Sequence, residues 1–191
     1  MSTAPLRKAA GFTLVELVLV LSIMGILMSV AAPTFRQSPS LQVQGSARLL
    51  TAHLEMARTH ALGQRMNTQV VFYESTRSYT AYTDHDRNGA IAQTEIERNA
   101  FQAFGRRELE GIVSFGRGNA SEFPGDPASG PVTITANELD LDTQGLPVPW
   151  GTMGTVYLVH RDNPNAVSAV SISSSGSFKA WRWHPDEEEW R

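Results

Sequence analysis

The sequence predicts an α+β protein: one long N-terminal helix, apolar in its first half and amphipathic in its second, packed on an antiparallel, β-rich C-terminal head. Three observations predict it. An apolar block runs from Phe12 to Ala32, apolar residues then recur at helical spacing from Val43 to Ala61, and beyond Gly63 that spacing gives way to short β-type runs. The 191 residues suit one ordinary domain with an appendage. With 41% hydrophobic and 18% charged residues, a net charge of -3 and no cysteine, disulfide scaffolds and Cys-based zinc sites are excluded. The same figures argue against a polybasic nucleic-acid binder and a wholly disordered chain.

The first element is the block FTLVELVLVLSIMGILMSVAA, in which 16 of 21 residues are apolar. As a helix it spans about 31 Å at ~1.5 Å per residue, enough for a bilayer core of ~30 Å. Arg7 and Lys8 precede it, and the nearest charge after it is Arg36, an asymmetry that keeps the N-terminus cytoplasmic and sends the bulk of the chain outward. A plain membrane anchor explains length and orientation. A secretory signal peptide explains the basic leader, with Ser29-Val30-Ala31 as its small-residue cleavage site. Against both stand Pro33, a poor neighbour for that cleavage, and Glu16 inside the apolar run. A carboxylate there costs about 2.5–3.5 kcal/mol near a helix centre, less toward its end, and asks for a partner.

The residues Gly11-Phe12-Thr13-Leu14-Val15-Glu16-Leu17 resemble the class III signal of type IV prepilins and type II secretion pseudopilins. That resemblance implies cleavage between Gly11 and Phe12 by a prepilin peptidase, methylation of the new Phe12 amine, and retention of the apolar helix. Glu16 becomes the fifth mature residue, which in the family pairs with the N-terminal amine of a neighbouring subunit. Pro33 matches the proline that kinks the family's helix, where it removes a hydrogen bond to the Ser29 carbonyl. The implied organisation is a leader over 1–11, a transmembrane and assembly helix over 12–33, an amphipathic half over 34–64 and an extracytoplasmic head over 65–191. Implied partners are the peptidase, other pilins or pseudopilins and the inner-membrane assembly platform. The implied location is a single pass in the inner membrane with a periplasmic head, then the pilus or pseudopilus.

The second element follows a polar patch, Arg36 to Ser40, expected to loosen the chain. Val43, Ala47, Leu50, Leu54, Ala57 and Ala61 recur at alternating spacings of four and three, which places them on one helix face. That stripe suits packing on a sheet better than a seam with a partner helix, and Gly63 offers the stop signal. His53 and His60 flank the stripe without an HExxH arrangement, as half-exposed helix residues rather than metal ligands.

In the head, Val70–Tyr73 and Tyr79–Tyr82 read as the first two strands. Further strands are expected at Ile112–Phe115, Val132–Thr135, Leu139–Leu141, Thr155–Val159, Val167–Ser173 and Phe178–Trp183, the last two joined through Ser174-Ser175-Gly176. The stretch GRGNASEFPGDPASGP reads as too polar and too rich in turn residues for a core. This order resembles the GspH/FimT branch of the same family, through Ala57–Ala61 followed by Asn67–Val71, the Asp84–Gly89 loop and the Ser175-Gly176 turn. Many major pilins close a C-terminal loop with a disulfide; here packing must do that work.

Two segments carry candidate binding chemistry. Residues 84–95 match the twelve-residue EF-hand template: Asp84, Asp86 and Asn88 offer side-chain oxygens, Ala90 a backbone carbonyl, Glu95 a closing carboxylate, and Gly89 the turn. Calcium is the ion such a loop would take; the alternative is an Asx-rich hairpin connection facing water, since a strand-like run and no entering helix precedes it. In Phe178–Trp183, alternation puts Lys179, Trp181 and Trp183 on one face and Phe178, Ala180 and Arg182 on the other. A basic aromatic strand suits nucleic acid, and some FimT-like minor pilins serve DNA uptake, which would cast Lys179, Trp181 and Arg182 as DNA contacts. The arginine pair of that motif is missing after Gly176, and Asp186–Glu189 would repel phosphate, so packing of the tryptophans is the favoured reading. No nucleophile elbow, Walker loop or paired ligand motif supports an enzyme. The expected function is a minor pilin or pseudopilin, with DNA binding or an unrelated membrane-anchored protein as alternatives.

Overall fold

The computed structural model describes residues 12–31, 38–92, 94, 96, 105–126 and 128–191. The chain divides into two units, Met1–Gln37 and Ser38–Arg191.

In the first unit, helix α1 spans Leu14–Ala31. Its described side chains, through Met28, are all exposed, from Leu14 at 80% to Val20 at 47%. A helix that is apolar on every side has no face to lay on a soluble core and calls for an apolar surrounding. Pro33 and the rest of 32–37 lie outside the described residues.

In the second unit, helix α2 spans Pro39–Gln64. Ser38, Pro39 and Ser40 of the polar patch expected to loosen the chain instead start this helix; Arg36 and Gln37 lie outside the described residues. Ser38 is the N-cap, its hydroxyl accepting from the Leu41 amide, and Pro39 takes the first turn, where its missing N–H costs nothing. Gly63 does not stop the helix; Arg65 does, in the left-handed conformation (φ 52°), with its N–H returned to the Ala61 carbonyl. Val43, Ala47, Leu50, Leu54, Ala57 and Ala61 are all at 0% exposure, and Ser46 joins them on the buried face. Leu41, Leu49 and Met56 remain exposed.

The strands form two antiparallel sheets. One has the order β3-β2-β1-β5-β6, from Arg107–Glu108, Ser78–Thr83, Thr68–Tyr73, Glu138–Leu141 and Pro147–Val148. The other has the order β10-β9-β8-β7-β4, from Glu189–Trp190, Phe178–His184, Asn163–Ile172, Gly154–His160 and Val113–Phe115. Helix α2 packs on strands of both. Val70, Phe72, Tyr79, Leu139 and Leu141 of the first sheet meet its stripe together with Phe115, Val156, Leu158, Val170, Ile172 and Phe178 of the second. The head is therefore α+β, a helix on antiparallel sheets.

Two further expectations fail in the head. Val132–Thr135 is not a strand. Val132 makes a single bridge to Val156, Thr133 gives its hydroxyl to the Asp126 carboxylate, and Thr135–Asn137 forms a short 3-10 turn with Ala136 and Asn137 at positive φ. Backbone pairing with β7 stops after the bonds from the Thr133 amide to the Thr155 carbonyl and from the Tyr157 amide to the Pro131 carbonyl, and the Thr133 hydroxyl takes the Thr155 amide in place of a further ladder bond. The Gly- and Pro-rich stretch 116–131 also enters the core. Ala120 is buried with Val167 and Trp183, and Phe123 lies 5.4 Å from the Trp181 ring and 6.0 Å from that of Trp190. One aromatic residue in a turn-rich segment is enough to pin it when a bare aromatic face waits on the sheet.

Candidate functional site

At the start of α1 the sequence Thr13-Leu14-Val15-Glu16 is a helix cap. The Thr13 hydroxyl accepts the Glu16 amide at 3.3 Å, and the Thr13 carbonyl accepts the Leu17 amide at 3.2 Å. Thr13 thus satisfies an orphan donor of the first turn, in the spacing of a capping box. The T-x-x-E pattern was readable in the sequence and its capping role was missed. Phe12, at 83% exposure, precedes the cap, and Glu16 stands as the first-turn acid of a helix whose other residues through Met28 are apolar except Ser22 and Gly25. An acid in the first turn also meets the positive end of the helix dipole. Gly11 lies outside the described residues. Among the described residues no helix is long and apolar enough to cross a membrane. The 18 residues of α1 rise about 27 Å, against ~30 Å for the hydrocarbon core.

The loop after β2 is organised by its own carboxylates. Asp84, at 2% exposure, accepts the Asn88 amide on Oδ1 at 3.1 Å and the Gly89 amide on Oδ2 at 2.8 Å. Asp86 accepts the Asn88 amide at 3.1 Å and its side-chain Nδ2 at 2.9 Å, and Asn88 Oδ1 accepts the Ala90 amide at 2.8 Å. Arg87 and Gly89 take positive φ to bring those amides inward. The oxygens of Asp84, Asp86 and Asn88 thus converge on one short stretch of backbone, as Asx turns do. Glu95 lies outside the described residues, and among the described residues no group of three His, Asp or Glu side chains is placed to hold a metal.

On β9 the candidate nucleic-acid residues separate. Lys179 Nζ sits 3.7 Å over the Trp181 ring, a cation–π contact, while the Trp181 indole N–H donates to Ser171 Oγ at 2.9 Å. Arg182 is offset by one residue, on the other face of the strand, and its backbone pairs with Arg191. Trp183, at 5% exposure, closes an aromatic cluster with Trp190 (5.2 Å), which itself meets Tyr157 (5.8 Å). The exposed acids of the tail hold Arg191, which pairs with Glu187 at 2.6 Å and also with Glu189.

His53 and His60 are both half-buried. His53 Nδ1 lies 2.8 Å from the hydroxyl of Tyr79, linking α2 to β2. Burial, then nearby Arg107, lowers the His53 pKa, and burial pushes the Tyr79 phenol up to about 12.

Residues 6–32 match the prokaryotic N-terminal methylation motif. The chain belongs to the pilin-like proteins, which are structural subunits and not enzymes, and membership implies assembly with other pilins. It is 31% identical over 141 residues to the pilin-like protein PilA1 of Thermus thermophilus, an alignment covering 72% of this chain and 78% of that protein. Similar solved structures include the type IV minor pilin FimU of Pseudomonas aeruginosa, with a TM-score of 0.48 and 15% identity over 78% of this chain and 92% of that one. The minor pseudopilin EpsH from the type 2 secretion system of Vibrio cholerae gives a TM-score of 0.47 and 13% identity over 73% and 95% of the two chains.

Proposed function

We propose that the protein is a minor pilin or pseudopilin of the GspH/FimT type, made as an inner-membrane precursor and cut between Gly11 and Phe12 by prepilin peptidase. The observation that carries this reading is the start of α1: an all-round apolar helix, capped by Thr13, whose first turn presents one carboxylate. In the precursor, helix 12–33 spans the inner membrane once, with the leader cytoplasmic and the head, 65–191, periplasmic. After cleavage Phe12 is N-methylated, and the assembly platform moves the helix from lipid to a filament core. There Glu16 pairs with a neighbour's new N-terminal amine, and two opposite charges offset each other's desolvation in a medium of low dielectric. Segment 34–64 links this helix to the head.

The test is paired. Gly11→Ala is expected to leave the precursor uncut by immunoblot, whereas Glu16→Ala is expected to be cut normally yet enter filaments poorly. Normal incorporation of the Glu16 variant would remove the residue's proposed role. N-terminal sequencing of the mature protein must begin at Phe12; a start at Ala32 or Pro33 would mean a signal peptide. Neighbouring secretion-channel genes would favour the pseudopilus, and pilus motor genes the type IV pilus.

For loop 84–95 the proposed ligand is calcium, held by Asp84, Asp86, Asn88, the Ala90 carbonyl and Glu95. Calorimetric titration is expected to show heat and a raised melting temperature in millimolar calcium; the absence of both would leave the loop an Asx-rich connection.

A further inference from the structure

Between the loop after β2 and the β1–β5–β6 side of the first sheet lies a half-open cavity of about 350 Å³. Asn67, Gln69 and Asp140 give it a polar side; Ile91 and Val148 give it an apolar one. Its layout follows from register. Gln69 pairs with Asp140 across β1 and β5, and Asp140 with Val148 across β5 and β6, so a carboxamide, a carboxylate and an aliphatic side chain stand in one row. Leu139 and Leu141 bury in the core, which turns Glu138 and Asp140 to the opposite face of β5. Glu138 lies outside the lining and accepts a hydrogen bond from Gln69 Nε2 at 3.2 Å. Asp140 is the one formal charge among the described lining residues, and no Lys, Arg or His is among them. Burial pushes its carboxyl up from the usual range, and the Gln69 side chain pulls it partly back.

A half-buried carboxylate whose described lining holds no cation is electrostatically incomplete: it has lost part of its hydration and gained, among the described residues, only an amide in return. We propose that the cavity is a socket for a single arginine side chain of a partner polypeptide, its guanidinium on the Asp140 carboxylate and its aliphatic stem along Ile91 and Val148. The volume lies at the small end of the ~300–1,000 Å³ typical of ligand pockets, which suits one long side chain and not a large cofactor. Arginine fits better than lysine because its planar fork meets a carboxylate with two parallel hydrogen bonds and its stem tolerates apolar walls. That the partner is another filament subunit rests on the function proposed above; the socket's chemistry does not.

The experiment is an amide NMR titration of the full chain in detergent micelles with acetyl-Gly-Arg-Gly-amide and with n-butylguanidinium, where a single-side-chain contact implies a Kd of about 1 mM. Saturable shifts are expected at Gln69, Gly89, Ala90 and Asp140 with both ligands. Asp140→Asn is expected to weaken both by about tenfold, and Glu138→Gln by less than about twofold. Uncharged n-butylurea acting equally well, unchanged binding to Asp140→Asn, or an equal loss in Glu138→Gln would overturn the socket. Binding of the free cation without the peptide would overturn the partner-chain assignment. Should Asp140→Asn lose its folded spectrum, Ala90→Phe, which crowds the rim, must weaken both ligands, and failure to do so counts against the proposal. Cleavage after Gly11 and filament entry play no part in this titration, so it fails or succeeds independently of them.

Discussion

Arg58 Nε donates to the Gly145 carbonyl at 3.2 Å, joining two residues 87 positions apart in sequence. The bond ties the last turns of α2 to the β5–β6 turn, and the β8–β9 turn closes over the same point. A Cβ on Gly176 (φ +74°) would lie 2.6 Å from the Gly145 carbonyl oxygen and 3.3 Å from Arg58 Nε. Helix and both sheets therefore meet at one junction that admits no extra carbon.

Gly176→Ala is expected to destabilise the protein by about 1–3 kcal/mol, because alanine resists the left-handed backbone and its methyl meets a carbonyl that has nowhere to go. Gly45, in α2 with nothing within 4 Å of its added Cβ, predicts the opposite sign: Gly45→Ala should stabilise by roughly 0.5–1 kcal/mol. Denaturant unfolding of the two variants beside the parent checks both, and equal signs would discard the junction argument.

The two leucine faces of α2 give a second contrast. Leu54 is at 0% exposure in the core and Leu49 is 47% exposed. Leu54→Ala is expected to cost about 2–5 kcal/mol. Leu49→Ala should stay within about 0.5 kcal/mol in the isolated subunit, as surface substitutions do. The same unfolding curves measure both.

Stability should fall on acidification through His53. Its folded pKa is lowered from 6.5 by burial and by Arg107, so the unfolded chain binds the proton first. The contribution is whole above that unfolded value and is lost as the pH drops through it toward the lower folded one. Melting temperatures from pH 7.5 to 5 should decline less steeply for His53→Gln than for the parent; parallel slopes would assign the acid sensitivity elsewhere.

The aromatic face of β9 is expected to behave as core. Trp183→Ala should cost about 3–5 kcal/mol by thermal or denaturant unfolding, since it opens the cluster around Trp190. In gel-shift assays at physiological salt the parent should not retard duplex DNA. Retardation abolished by Lys179→Ala with Arg182→Ala would instead support a nucleic-acid role for the strand.

Local patterns were legible where one residue type does one job. The α2 stripe was readable because every buried position recurs at helical spacing, and all six residues sit in the core. The N-terminal signal was readable because a carboxylate inside an apolar run is costly enough to demand an explanation. The short strands Arg107–Glu108, Pro147–Val148 and Glu189–Trp190 were not, since two residues carry no period and pair only when a longer neighbour presents an open edge. Glycine misled at Gly63 because left-handed backbone was supplied instead by Arg65, whose cap geometry outweighed its modest steric cost.

By itself the sequence determined the family signal, the apolar block that carries it, the buried face of α2 and the antiparallel character of the head, because each is written in residues close together along the chain. Only the tertiary structure decided that Phe123 leaves a polar loop to cover tryptophans, that Arg58 binds the β5–β6 turn, and that Asp140 stands at a cavity beside Gln69. The reason is physical. Periodicity reports which side of an element is dry, but sheet order and register choose which distant residues share that side, and such choices leave no local trace.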